Sequence, residues 1–135
     1  MIKTKRRVLA QVVLCKGCCC GRTDKGRPPL PEERLKAAWK ERRLNRTIQL
    51  TVSGCLGPCD VANVVQIITP RGTEWFGGFD QDAHYDALLD WATACSAARD
   101  LLPRPGLLAP HLFSGYISDN SQTIACAKID EATST

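Results

Sequence analysis

The sequence predicts an α/β fold: a small four-stranded mixed sheet flanked by two main helices, in the order β-α-β-β-β-α. Three observations carry that expectation. Residues 8–14 form a short, nearly continuous apolar run, as in a central strand buried on both faces. Two β-branched runs meet at the turn Pro70-Arg71-Gly72-Thr73, which reads as an antiparallel hairpin. Tyr85, Leu88, Leu89, Ala92 and Cys95 recur at the spacing of one buried helix face.

Taken in order, the first strand delivers Cys15 at its C-terminal end, followed by the Gly/Pro-rich loop G-R-T-D-K-G-R-P-P-L. Pro31, Glu32 and Glu33 then open a helix, with proline in the first turn and acids at the positive end of the helix dipole. Leu35, Ala38 and Trp39 are its apolar stripe. In 47–53, Ile48, Leu50 and Val52 alternate with polar residues, a half-buried strand ending at Gly54-Cys55. Residues 64–69 and 74–79 are the hairpin strands, the second expected at a sheet edge, and Asp80 is the expected N-cap of the second helix. A βαβ crossover closed by a hairpin and a helix is the small thioredoxin-like layout. Pro103 and Pro105 end the regular part, giving a domain over 1–102 and an irregular C-terminal extension over 103–135 that docks through Leu107, Leu108, Leu112 and Phe113.

A chain of 135 residues is long enough to bury a core without disulfide staples. The basic start and apolar stretch before Cys15 imitate a secretory signal. That stretch is short, contains Gln11, and places bulky Leu14 where a cleavage site wants a small residue. A buried strand and a cytoplasmic address are the expectation, with no membrane span. In a reducing compartment, clustered cysteines read as ligands or redox groups rather than structural disulfides.

The net charge of +4 conceals an asymmetry: residues 1–46 carry 14 Lys and Arg against 4 Asp and Glu, and the remainder carries 4 against 10. A basic face of this kind steers an acidic partner as readily as it solubilises the chain. Nucleic acid is weakly supported, because no recognition motif is present and no aromatics interleave the basic residues.

Four of the eight cysteines fall in C-K-G-C-C-C at 15–20, and two more lie in G-C-L-G-P-C-D at 54–60. If the strands ending at Cys15 and Gly54 are neighbours, the clusters emerge at one end of the sheet. Cys15, one of Cys18, Cys19 and Cys20, Cys55 and Cys59 can then converge. A site of four thiolates suits either a [2Fe–2S] cluster or zinc. Structural zinc usually takes two C-x2-C knuckles, whereas the second pair here is C-x3-C.

With those residues the chain resembles the thioredoxin-like [2Fe–2S] ferredoxins, relatives of the 24 kDa subunit of respiratory NADH dehydrogenase. Cys15 and Cys20 match the early C-x4-C of that subunit, and C-L-G-P-C-D at 55–60 is similar to its second loop, 34 residues later. The likeness spans about residues 8–98 and leaves out the tail. It implies a one-electron carrier, not a catalyst, with a [2Fe–2S] cluster on Cys15, Cys20, Cys55 and Cys59. The three successive cysteines keep Cys18 and Cys19 open as alternatives to Cys20. It also implies a homodimer and a redox partner protein, here with an acidic docking face. Lys16 and Arg22 are placed to offset the cluster's negative charge if they turn toward it. A four-cysteine zinc or metal-handling module and a redox sensor are the competing readings, the latter resting on the surplus thiols.

Cys95 lies on a core stripe and reads as a small buried hydrophobe; Cys126 reads as a free thiol. His84 and His111 lack ligand spacing and stay out of the site, and Trp75, Phe76 and Phe79 read as hairpin packing. Cys15-Lys16-Gly17-Cys18 also fits a thiol oxidoreductase motif. The helix opens only at Pro31, however, so its dipole is too distant to activate Cys15. No Ser/His/Asp array, phosphate-binding glycine loop or carboxylate pair points to another catalytic chemistry.

Overall fold

The N-terminal apolar run forms β1 (Ala10–Cys15) in the computed structural model, which describes residues 1–17 and 19–117. It is followed by α1 (Glu32–Glu41), β2 (Ile48–Ser53), β3 (Val65–Thr69), β4 (Gly72–Phe76), α2 (Asp82–Ala98) and a two-residue β5 (Leu112–Phe113). The sheet order is β2-β1-β3-β4-β5. β1 and β2 run parallel, β3 returns antiparallel to β1, and β4 and β5 continue antiparallel. This is the thioredoxin-like arrangement the element order predicts, with one strand more.

β1 takes an interior place, between β2 and β3, and every residue after Gln11 is buried there. Its alternate residues Ala10, Val12 and Leu14 face a core shared with Leu35 and Trp39 of α1 and Tyr85, Leu88 and Ala92 of α2. The Trp39 indole N–H donates to the Ile48 carbonyl at 2.7 Å, so the ring packs without leaving its polar atom unpaired. The other sheet face carries Gln11, Gln49, Thr51 and Gln66, the polar half of the strand alternation.

Two expectations are corrected. The outer side of β4 is not a bare edge, because β5 pairs with Trp75 and Phe76. Leu108, just before β5, is fully buried in the main core, which ties this segment down, while Leu107 stays exposed. The N-cap of α2 is Gln81 rather than Asp80. His84, three residues later, reaches back so that its Nδ1 accepts the Asp80 and Gln81 backbone N–H groups at 3.2 and 3.3 Å. Cys95 is buried in the core as its stripe predicts; Cys18 and Cys126 lie outside the described residues. Among the described residues no helix is long and apolar enough to cross a membrane.

Candidate metal centre

The parallel register sets Cys15 opposite Ser53, so the loops leaving β1 and β2 start side by side. The Lys16 N–H donates to the Ser53 carbonyl at 3.1 Å and continues the ladder one step. At Gly17 the loops touch: a Cβ there would sit 3.2 Å from the Cys55 backbone nitrogen. A side chain at 17 would therefore push the two cysteine loops apart.

Cys15 and Cys20 are both buried, in a small apolar group with Ala62, Val64 and Trp75, against which Cys19, Leu56 and Phe113 pack. The Cys20 Sγ accepts the Val64 backbone N–H at 3.3 Å. The Cys55 Sγ, exposed to solvent, accepts the N–H of Gly57 at 3.3 Å. Gly57 has φ of +119°, which glycine adopts without strain. Burial, followed by a hydrogen bond in which the Cys15 thiol donates to Cys20, pushes the Cys15 thiol up to about 12, with Cys55 adding to the rise and the Leu56 backbone opposing it. Metal uptake at Cys15 would therefore displace a proton.

The structure thus packs Cys15 and Cys20 in one buried group and sets the Cys55 backbone against Gly17. Cys59, half-buried, opens a 3-10 turn (Cys59–Val61) at the far end of the Cys55 loop, its N–H bonded to the Gly57 carbonyl at 2.8 Å. Among the described residues no three His, Cys, Asp or Glu side chains gather around a point that would hold one metal ion. A binuclear cluster places its four thiolates on two irons rather than around one centre. The donor set and the backbone N–H groups directed at sulfur fit such a group.

Lys16 and Arg22 are each engaged by a carboxylate: Lys16 Nζ lies 2.7 Å from Glu32, and Arg22 lies 2.6 Å from Asp24. The N–H groups at sulfur are the local positive ends that the structure does supply.

Asn63 is the residue that sequence reasoning passed over. Completely buried, its Oδ1 accepts the Gly21 N–H at 2.9 Å. Its Nδ2 reaches the carbonyls of Pro28 and Pro29 and the hydroxyl of Tyr85 at 3.1–3.2 Å. One side chain ties the residue after Cys20 to the loop before α1 and to α2. Burial pushes the Tyr85 phenol up to about 12, so it stays a neutral hydroxyl at this junction. The only hint in the sequence was a polar residue directly before a strand.

No family model and no curated protein matches the chain. Among solved structures it is similar to the wild-type thioredoxin-like [2Fe–2S] ferredoxin from Aquifex aeolicus, at a TM-score of 0.44 and 17% identity. The match covers 72% of this chain and 99% of that one. A likeness this loose leaves the functional case to the cysteines of the chain itself.

Proposed function

We propose that the protein is a one-electron carrier that holds a [2Fe–2S] cluster on Cys15, Cys20, Cys55 and Cys59. The observation that carries this reading is the pair of backbone N–H groups directed at sulfur: Val64 to Cys20 and Gly57 to Cys55. Such donors stabilise negative charge on thiolates and favour the reduced form of a bound cluster. The cluster supplies the capacity to accept and return one electron. The chain supplies a dry inner side, walled by Trp75, Val64 and Phe113, and an outer side at exposed Cys55 that faces a partner.

The test is a visible absorption and low-temperature EPR spectrum of anaerobically purified protein, before and after dithionite, with iron, sulfide and zinc counted. A brown protein with about two irons and two sulfides per chain, paramagnetic only when reduced, supports the carrier. A colourless protein with about one tightly held zinc overturns it in favour of a structural or metal-handling module.

A further inference from the structure

Part of the basic charge of the N-terminal third lies away from the cysteines. Cys15 closes β1 and Cys55 lies just beyond the end of β2, at the C-terminal end of this parallel pair. Arg6 and Arg7 precede the start of β1, and Arg46 precedes the start of β2. The Leu9 N–H donates to the Thr47 carbonyl at 2.7 Å, which locks these two starts together. Six residues of strand at about 3.3 Å each separate the two poles by roughly 20 Å.

Both main helices also end at this basic pole. The last turn of α1 passes through Leu44–Arg46 directly into β2, and the Thr47 hydroxyl donates to Ser96 near the end of α2 at 2.8 Å. At the two helix ends the backbone turns left-handed, with φ of 54° at Arg43 and 53° at Arg99. Glycine or asparagine is the usual residue in that conformation, because a larger side chain is strained there. This chain uses arginine both times.

Two adjoining recesses mark the surface. One, of about 250 Å³, is lined by Lys5, Arg6, Arg7, Val8, Asn45, Arg46 and Gln49. The other, of about 290 Å³, shares Arg7, Val8 and Arg46 and adds Arg99. Neither is lined by a carboxylate, and among the described residues Arg7, Arg46 and Arg99 enter no ion pair. Three guanidinium groups, planar and suited to bidentate oxyanion contacts, therefore face one trough without a carboxylate partner among the described residues.

We propose that this trough docks an acidic, carboxylate-rich segment of a partner protein at the pole opposite the cysteines. No Phe, Tyr or Trp lines either recess. A single-stranded nucleic acid would lack the stacking platforms on which its bases rest, whereas a carboxylate side chain needs only the guanidinium fork. A partner held here leaves the Cys55 end open to a second molecule. The docking goes beyond the electron-carrier reading and requires no cluster.

The test is fluorescence anisotropy of the full chain with a short labelled oligoglutamate peptide, compared with a single-stranded DNA oligonucleotide of matched charge. The expected result is peptide binding that weakens with salt. Arg46→Gln and Arg99→Gly should each weaken it by about tenfold, the scale of one charge-assisted hydrogen bond. Arg99→Gly should melt no lower than the parent, since glycine suits the left-handed position, and this separates lost binding from lost folding. Arg27→Gln, in the loop after Cys20, should leave the affinity unchanged. Equal losses in all three variants would mean diffuse attraction and overturn the site. Tighter binding of the DNA, lost in the same variants, would replace the acidic segment with nucleic acid.

Discussion

The carboxamide of Asn63 and the backbone of Gly21 meet at 2.9 Å, and this bond fixes the position of the chain immediately after Cys20. The same side chain serves Pro28, Pro29 and Tyr85, so its removal strands the buried Tyr85 hydroxyl and several partly buried backbone groups at once. Each unsatisfied group costs about 1–3 kcal/mol. Asn63→Ala is therefore expected to lose on the order of 3 kcal/mol in urea unfolding and to load iron poorly. Asn63→Asp keeps the acceptor for Gly21 but loses the donor, and should fall between. Parent-like stability and iron content in the alanine variant would show that the junction does not position the cysteine loop.

Cys20 and Cys19 are neighbours with different surroundings. Cys20 is buried, with the Val64 N–H on its sulfur, while Cys19 is half-buried and only packs against that group. Cys20→Ser should abolish the visible chromophore, and Cys19→Ser should retain it with full iron content. The reverse pattern would move the second ligand to Cys19.

The fold was legible because its signals are local. The nearly continuous apolar run before Cys15, the stripe from Tyr85 to Cys95 and the turn at Pro70–Gly72 each specify an element without help from elsewhere. The meeting of the two cysteine loops was legible too, since parallel neighbours emit their following loops at one end. Asn63 was not legible, because its partners lie 22–42 residues away along the chain. Nor was β5, whose two residues have no periodicity and gain their place from Trp75. The α2 cap shifted by one residue because histidine at the third helical position supplied an acceptor that composition alone would assign to Asp80.

His84 gives the fold a pH dependence. Its Nδ1 accepts two backbone N–H groups, and its ring stacks edge-on to His111 at 4.2 Å between centroids. Burial, then the nearby His111, holds its pKa below the usual 6.5, opposed by Asp80. A proton on Nδ1 would turn the acceptor into a donor. His111 instead pairs through Nδ1 with the Gly77 carbonyl at 2.7 Å, an acceptor that requires a proton on that nitrogen. With the folded pKa depressed, the stability from neutral His84 is present in full above pH 6.5. It drains as pH falls from there through the lower folded value. His84→Gln keeps an acceptor at the third helical position and does not titrate. Urea midpoints measured across this range should slope for the parent and flatten for the variant; equal slopes would assign the dependence to other groups.

Leu108 decides whether the segment after Pro105 belongs to the folded unit. It is fully buried in the main core, within the turn Gly106–His111 that leads into β5. Phe113 then lies 5.8 Å from the Trp75 ring, on the inner wall of the cysteine site. Leu108→Ala should cost about 2–5 kcal/mol, the range for an aliphatic side chain removed from a packed core. A chain cut after residue 102 should lose more, and should expose Trp75 to an aqueous quencher that the full chain resists. Leu112→Ala, at a half-exposed position, should change stability by less than about 1 kcal/mol. A truncated chain with the parent's melting temperature and a protected Trp75 would place the end of the folded unit at residue 102, with Leu108 packed there at no gain.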